Sequence, residues 1–157
     1  MLPDNLKERA VAAAVEAFDG DAVTAGKFDF NEVTLEIAPA KIASICGFLK
    51  YDQKFERLSS VTAVDRYPAE PRFEVVYHLH SVARNERLRL KCRIQGTEPV
   101  IESVYSVWRS ANWYEREVFD LFGITFTNHP DLRRIMMPDD WEGHPLRKDY
   151  PITGARV

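Results

Sequence analysis

Apolar and polar positions alternate along the chain with two different periods, and the changes of period mark out its elements. Near the start, Leu6, Arg9, Ala10, Ala13, Ala14, Ala17 and Phe18 recur at helical spacing after Asp4, a residue suited to capping, and Asp19-Gly20 ends the run. One helix is predicted there, with a shallow apolar face that calls for close packing on a sheet or another helix. Within AVTAGKFDFNEVTLEIAP the period falls to two: Val33, Leu35 and Ile37 alternate with Thr34 and Glu36, as in a strand buried on one face. Pro39 suits the first turn of a second helix, which Ile42, Ile45, Cys46 and Leu49 continue; Gly47 weakens that helix unless a neighbouring element comes close.

Three more strands follow. FERLSSVTAVDR begins one, RFEVVYHLHSV gives the next, and in ERLRLKCRI the residues Leu88, Leu90, Cys92 and Ile94 alternate with Arg89, Lys91 and Arg93. The short ARNE stretch between the last two suits a hairpin. The pattern predicts an α+β fold, with two helices packed on a four-stranded mixed or antiparallel sheet, followed by an aromatic-rich helix and an extended C-terminal contact tail. The expected organisation is an α+β domain over residues 1–100, a helical segment continuous with it over 101–127, and the tail over 128–157.

In the middle segment, IESVYSVWRSANWYEREVFDLFG, Ser103 heads a short turn, and a helix opens at Ser110 or Ala111 and runs to Phe122, with Gly123 at its end. Trp113, Val118, Leu121 and Phe122 are its apolar side. Arg116 and Asp120 are four apart and positioned to pair, while Glu117 and Asp120, three apart, would hold protons more tightly if buried together.

The tail breaks both periods. HPDLRRIMMPDDWEGHPLRKDYP has prolines at positions 130, 138, 145 and 151, each of which disfavours helix just before it. That fixed extended path would let Arg133, Arg134, Arg147 and Lys148 reach separate carboxylates, within the chain or on another subunit. His129 and His144 are fifteen residues apart and free to meet in space, but the carboxylates near them are too many to single out an acid-base partner. A solvated charge run is the bland alternative.

Composition narrows the function. The chain has 157 residues, is 45% apolar and 29% charged, and carries a formal charge of −3. That balance suits one globular domain with an appended segment and argues against a phosphate-neutralising nucleic-acid binder. Cys46 and Cys92 are isolated and read as small buried hydrophobes. His78 and His80 share one strand face, a geometry open to a metal, but no third ligand lies at zinc-like spacing. There is no glycine-rich phosphate loop and no cysteine series for an iron–sulfur cluster. The N-terminus lacks an export pattern and no apolar run approaches membrane-spanning length, so a soluble cytoplasmic chain with no direct membrane span is expected.

WYEREVFDLFGI and HPDLRRIMMPDDWEGHPLRKDYP together resemble the signature of the C-subunit family of respiratory NADH–quinone oxidoreductase, the 30-kilodalton component of complex I. The resemblance implies a cofactor-free structural component of the peripheral arm, on the cytoplasmic side of the bacterial membrane. It would lie beside the large quinone-site subunit and the small subunit that carries the terminal iron–sulfur cluster, in an assembly using FMN, iron–sulfur clusters, NADH and quinone to drive proton translocation. As structural or partner-contact positions it implies Glu115, Arg116, Glu117, Asp120, His129, Pro130, Asp131, Leu132, Arg133, Arg134, Gly143, His144, Pro145, Leu146, Arg147, Lys148, Asp149 and Tyr150, none of them catalytic or metal-binding. Asn128 stands where relatives commonly have glycine; asparagine tolerates left-handed backbone, so the turn survives. Similar subunits serve membrane-bound hydrogenases and other quinone- or deazaflavin-linked dehydrogenases, which is the alternative assignment.

Overall fold

The structure, a computed structural model, describes residues 2–154. Its elements in order are α1 (Asp4–Lys7), α2 (Ala10–Phe18), β1 (Val23–Asp29), β2 (Glu32–Ile37), α3 (Ile42–Tyr51), β3 (Arg57–Asp65), β4 (Phe73–Ser81), β5 (Glu86–Ile94), β6 (Val100–Glu102), α4 (Ala111–Phe122) and β7 (Thr125–Thr127). The α+β class is as the periodicity indicates, and the sheet is mixed, but it has five strands rather than four, in the order β1-β2-β5-β4-β3. Only β2 and β5 run parallel within it.

The additional strand is β1, paired antiparallel with β2. Their two-residue turn is Phe30-Asn31, with φ of 52° and 62°. Tight hairpins need positive φ at such positions, and Asn-Gly or Asp-Gly advertises it in sequence. A phenylalanine there does not, and the hairpin passes unread.

The first helix is also two pieces. Arg9 is extended (φ −90°, ψ 116°), which splits α1 from α2. Two contacts account for the break: the Arg9 guanidinium lies 3.8 Å above the Phe28 ring, and Leu2 and Leu6 crowd Gly26 of β1, where a Cβ would meet the Leu6 side chain at 2.7 Å. Asp4 does not cap by its side chain. In α3, nothing lies within 4 Å of a Cβ at Gly47, so no neighbour's approach explains that residue.

Alternation in β4 and β5 sorts the sheet's faces. Phe73, Val75, Tyr77 and Leu79 share one face with Leu88, Leu90 and Cys92, and all are buried. These join one apolar cluster with Val11 and Val15 of α2, Ile45 and Leu49 of α3, and Val118 and Phe122 of α4. The opposite face carries Glu74, His78, Arg89, Lys91 and Arg93, largely cross-paired, for example Arg89–Glu32 at 2.8 Å and Lys91–Glu74 at 2.8 Å.

Candidate partner-contact site

α4 is the post to which the tail is tied. It ends at Gly123, whose φ of 74° is left-handed. A Cβ there would also lie 2.5 Å from the His144 ring and 2.6 Å from the Arg147 guanidinium, so glycine admits the tail as well as the turn. Asn128 also takes φ 62°, as its side chain permits.

Asp120 does not pair with Arg116. Its Oδ1 accepts from Arg134 Nη1 at 2.8 Å, and its Oδ2 accepts from the backbone N–H groups of Ile135, Met136 and Met137 at 3.1, 2.6 and 2.9 Å. Glu117 is exposed, so the two carboxylates are not buried together. Burial pulls the Asp120 pKa upward, but the N–H of Met137, the Arg134 guanidinium and the remaining N–H groups outweigh it and hold the carboxyl below its usual range.

Arg134 spans the bend of the tail: besides Asp120 it donates to the carbonyls of Trp141 at 3.1 Å and Gly143 at 3.0 Å. Arg116 turns away from Asp120 to lie against Trp113, 4.7 Å from the ring, and donates from Nε to the Arg133 carbonyl at 3.1 Å. Trp113 itself is 61% exposed, not on the buried side as the period suggests. Arg147 reaches carbonyls rather than carboxylates, donating from Nε to Phe122 at 2.6 Å, and so occupies the C-terminal end of α4.

The histidines do not meet. Asp131 donates its backbone N–H to His129 Nδ1 at 3.0 Å, so Nε2 carries the proton and donates to the Asn112 carbonyl at 3.1 Å. His144 contacts the Asp120 carbonyl through Nδ1 at 2.9 Å. Asn112 and Asp120 are eight residues apart on α4, about 12 Å along its axis. Burial, acting first, lowers both imidazole pKa values and favours the neutral form.

Glu115 is fully buried beneath His129. Its carboxylate accepts from the Ser103 hydroxyl and from the Val104 N–H at 2.8 Å, and lies 3.9 Å from His129 Nε2. Burial pushes its pKa up to about 7 against those two donors. Ser103 gives its proton to Glu115 and accepts from the Tyr105 N–H at 3.0 Å, so no imidazole activates it as a nucleophile.

Sequence reasoning missed Asp65 and Arg72. Arg72, immediately before β4, holds Asp65 bidentately at 2.9 Å and reaches Asp149 at 2.5 Å. Asp65 Oδ2 also accepts the Lys148 N–H at 2.8 Å. Burial raises the Asp65 pKa, but Arg72, followed by the N–H groups of Lys148 and Tyr67, brings it down to about 2. Asp65 and Arg72 are seven residues apart, but the contacts that tie them to the tail join positions 77 and 83 residues apart, which leaves no local pattern to find.

The other signature positions divide by exposure. Leu132 packs against the core, Pro145 is half-buried, the Leu146 N–H bonds the Leu121 carbonyl at 3.0 Å, and Tyr150 lies against Gly143. Pro130 is exposed, and Arg133 pairs with Asp131 at 2.9 Å on the surface. Met136 and the side chain of Leu146 point outward, 65% and 51% exposed. On the sheet, His78 bonds Ser60 at 3.0 Å and accepts from Arg89 at 3.2 Å. Among the described residues no group of three or more His, Cys, Asp or Glu could hold a metal ion, and no helix is long and apolar enough to cross a membrane.

The chain is similar in sequence and fold to known proteins. Residues 35–156 match the family model for the respiratory-chain NADH dehydrogenase 30 Kd subunit. The chain is 50% identical over 147 residues to the NADH-quinone oxidoreductase C-subunit of Geobacter sulfurreducens, covering 93% of this chain and 90% of the relative. It is 45% identical to the corresponding C-subunit of Cereibacter sphaeroides, covering 98% and 76%. Among solved structures it is similar to the trypsin-resistant fragment of Nqo5 (TM-score 0.67, 27% identity, 76% of this chain and 97% of that one). It is also similar to a chain of the membrane-bound sulfane sulfur reductase, an archaeal respiratory membrane complex (TM-score 0.79, 25% identity, 93% and 86% covered).

Proposed function

The chain belongs to the family of the respiratory-chain NADH dehydrogenase 30 Kd subunit, and from that premise we propose that residues 128–154 form a pre-shaped contact surface for the quinone-site subunit and the terminal iron–sulfur subunit. Membership makes the chain a structural, non-catalytic component of the peripheral arm of NADH-quinone oxidoreductase, whose FMN, iron–sulfur clusters, NADH and quinone chemistry belongs to the assembly.

One observation carries the reading of the tail: its polar anchors are satisfied within the chain, whereas its apolar tips are not. Asp120, Arg134, Arg147 and Arg72 fix the path from inside, and Met136 and Leu146 are turned to solvent. A segment ordered before it binds loses less conformational entropy on association, which is what a register-setting surface needs. Arg134 and Arg147 thus shape the clamp from within, and the exposed tips supply its grip.

Tagging the chain in its native cells, isolating membranes in mild detergent and identifying the retained proteins tests this directly. Retention of the quinone-site and terminal iron–sulfur subunits with NADH-driven quinone reduction is expected; a solitary chain would break it. Arg134→Ala and Arg147→Ala should lower the amount of assembled complex more than the turnover of each complex that does assemble. Normal assembly with selective loss of turnover would count against the clamp. The alternative, the equivalent subunit of a hydrogenase or another quinone- or deazaflavin-linked dehydrogenase, draws on the likeness to the sulfane sulfur reductase chain. The identities of 43–50% to NADH-quinone oxidoreductase subunits favour the NADH-linked branch.

A further inference from the structure

The sheet face turned away from the helices has a row that its own neighbours do not neutralise. Arg57 of β3 lies directly across from His80 of β4, and His80 directly across from Arg87 of β5. The flanking pairs Leu58–Leu79 and Leu79–Leu88 are core residues, so these three side chains project to the opposite, open face. Two guanidiniums flank an imidazole at adjacent cross-strand sites, where an opposite charge would stabilise them and neither the β3–β4 nor the β4–β5 pairing supplies one.

Other rows on this face are compensated. Arg89 has Glu32 at 2.8 Å and Arg93 has Glu36 at 3.2 Å. Arg87 is 75% exposed and has only a marginal contact to Glu32 at 4.0 Å; among the described residues neither Arg57 nor His80 has a side-chain hydrogen bond or ion pair. The row lies in a groove of about 430 Å³ whose charged walls are Arg57, Arg87 and Arg89 against the single carboxylate of Glu32, in a chain whose formal charge is −3. The basic excess is local.

We propose that this groove docks an acidic segment of a neighbouring subunit, with one carboxylate at Arg57 and another at Arg87. The spacing selects this occupant. Arg57 and Arg87 originate two strand spacings apart, about 10 Å, which suits two carboxylates on one segment better than one small anion. A guanidinium fork binds each bidentately, and His80 between them lines the floor. The interaction is largely solvent-accessible at its rim, so it fixes orientation, slows departure and weakens with salt. This inference rests on the chain being an assembled subunit, but it concerns a face that the tail does not form.

The test uses the intact complex, with a photo-crosslinking residue in place of Ser59 in the groove wall and, in a separate strain, in place of Met136 in the tail. The expected result is a crosslink from position 59 to a carboxylate-rich peptide of another subunit. Charge reversal, Arg57→Glu with Arg87→Glu, should then speed dissociation at moderate salt about tenfold. Lysine replacements of the crosslinked acidic residues should restore retention. A crosslink only to lipid or to a peptide lacking carboxylates would overturn the proposal. So would silence at 59 with a crosslink at 136, or unchanged salt resistance of the reversed-charge variant. Silence at both positions in purified material would bring down the assembly reading along with it.

Discussion

The sheet and the tail reach order by opposite routes. In the sheet, many interchangeable contributions are summed: Phe73, Val75, Tyr77, Leu79, Leu88 and Leu90 are each buried, and each such side chain contributes on the order of 1.5–3 kcal/mol through removal from water. The 27 described residues 128–154 contain no helix or strand, and their path depends on a few polar residues, chiefly Asp120, Arg134, Arg147 and the Arg72–Asp65 pair. A summed core degrades gradually under substitution. A point-anchored segment fails at its anchors and tolerates change between them. Such a segment can leave its apolar residues turned outward, because they are not needed for its own order, and that suits an interface.

The strongest test of this contrast is Asp120→Asn. The charge that organises four donors is removed, Arg134 is left with carbonyls alone, and one terminal oxygen becomes an amide that cannot accept. Breaking a buried, hydrogen-bonded ion pair from one side costs about 3–5 kcal/mol. Amide hydrogen exchange should show Ile135, Met136 and Met137 losing protection while amides in β4 and β5 retain theirs. Equal loss in both regions would mean that the tail and the core unfold as one unit, and the contrast would fail.

Acidity separates the two regions next. Asp65, Asp120 and Asp149 have folded pKa values depressed below 3.8, Asp65 to about 2. Their contribution is therefore complete above about pH 4 and is lost as pH falls through the folded values. Glu115 behaves in the opposite sense. Its folded pKa, raised from 4.5 to about 7, means that the folded state holds the proton more tightly than the unfolded one, so stability declines as pH rises from 4.5 and levels off above 7. The decline is at most about 3 kcal/mol. The depressed His78, His129 and His144 raise stability with pH in the same window, so the Glu115 contribution is read as a difference: between pH 4.5 and 7 the melting temperature of Glu115→Gln should gain on that of the parent chain. Parallel profiles for the two proteins from pH 4.5 to 7 would show that Glu115 is charged in the fold without penalty.

The same division explains what could be read from sequence. Strands β3 to β5 and helix α3 announce themselves because burial on one face repeats at a fixed period, and the residues that repeat it, such as Leu88, Leu90 and Cys92, lie close together in the chain. Strand β1 escapes because its turn is made by Phe30, a residue type that gives no sign of positive φ. In the tail, the prolines and arginines identify an ordered, non-repetitive segment, but not its partners. Arg116 and Asp120 are correctly spaced for a helical pair, yet Arg134 and three backbone N–H groups offer Asp120 more, and Arg116 lies against Trp113 instead. The Arg72–Asp149 contact spans about half of the chain, and only the folded sheet brings its two ends together. The family resemblance locates the signature residues; the structure is needed to tell internal anchors such as Arg134 from outward tips such as Met136.

The smallest predicted effect draws the boundary between the regions most finely, because it divides one arginine. Arg72 is 10% exposed and serves two carboxylates, Asp65 at 2% exposure and Asp149 at 42%. The Asp65 side belongs to the sheet. Asp65→Asn leaves the guanidinium without its buried counter-charge and should cost about 3 kcal/mol of global stability. The Asp149 side belongs to the tail, where water screens the pair and competes for it, so Asp149→Asn should cost under about 1 kcal/mol. Urea unfolding of the two variants should thus shift the midpoint substantially for the first and barely for the second, while limited proteolysis near Tyr150 should accelerate in both, since the Lys148 N–H also depends on Asp65. If Asp149→Asn destabilised the whole chain as much as Asp65→Asn, the tail would have to be counted as part of the core, and its fixed shape would need no separate explanation from partner binding.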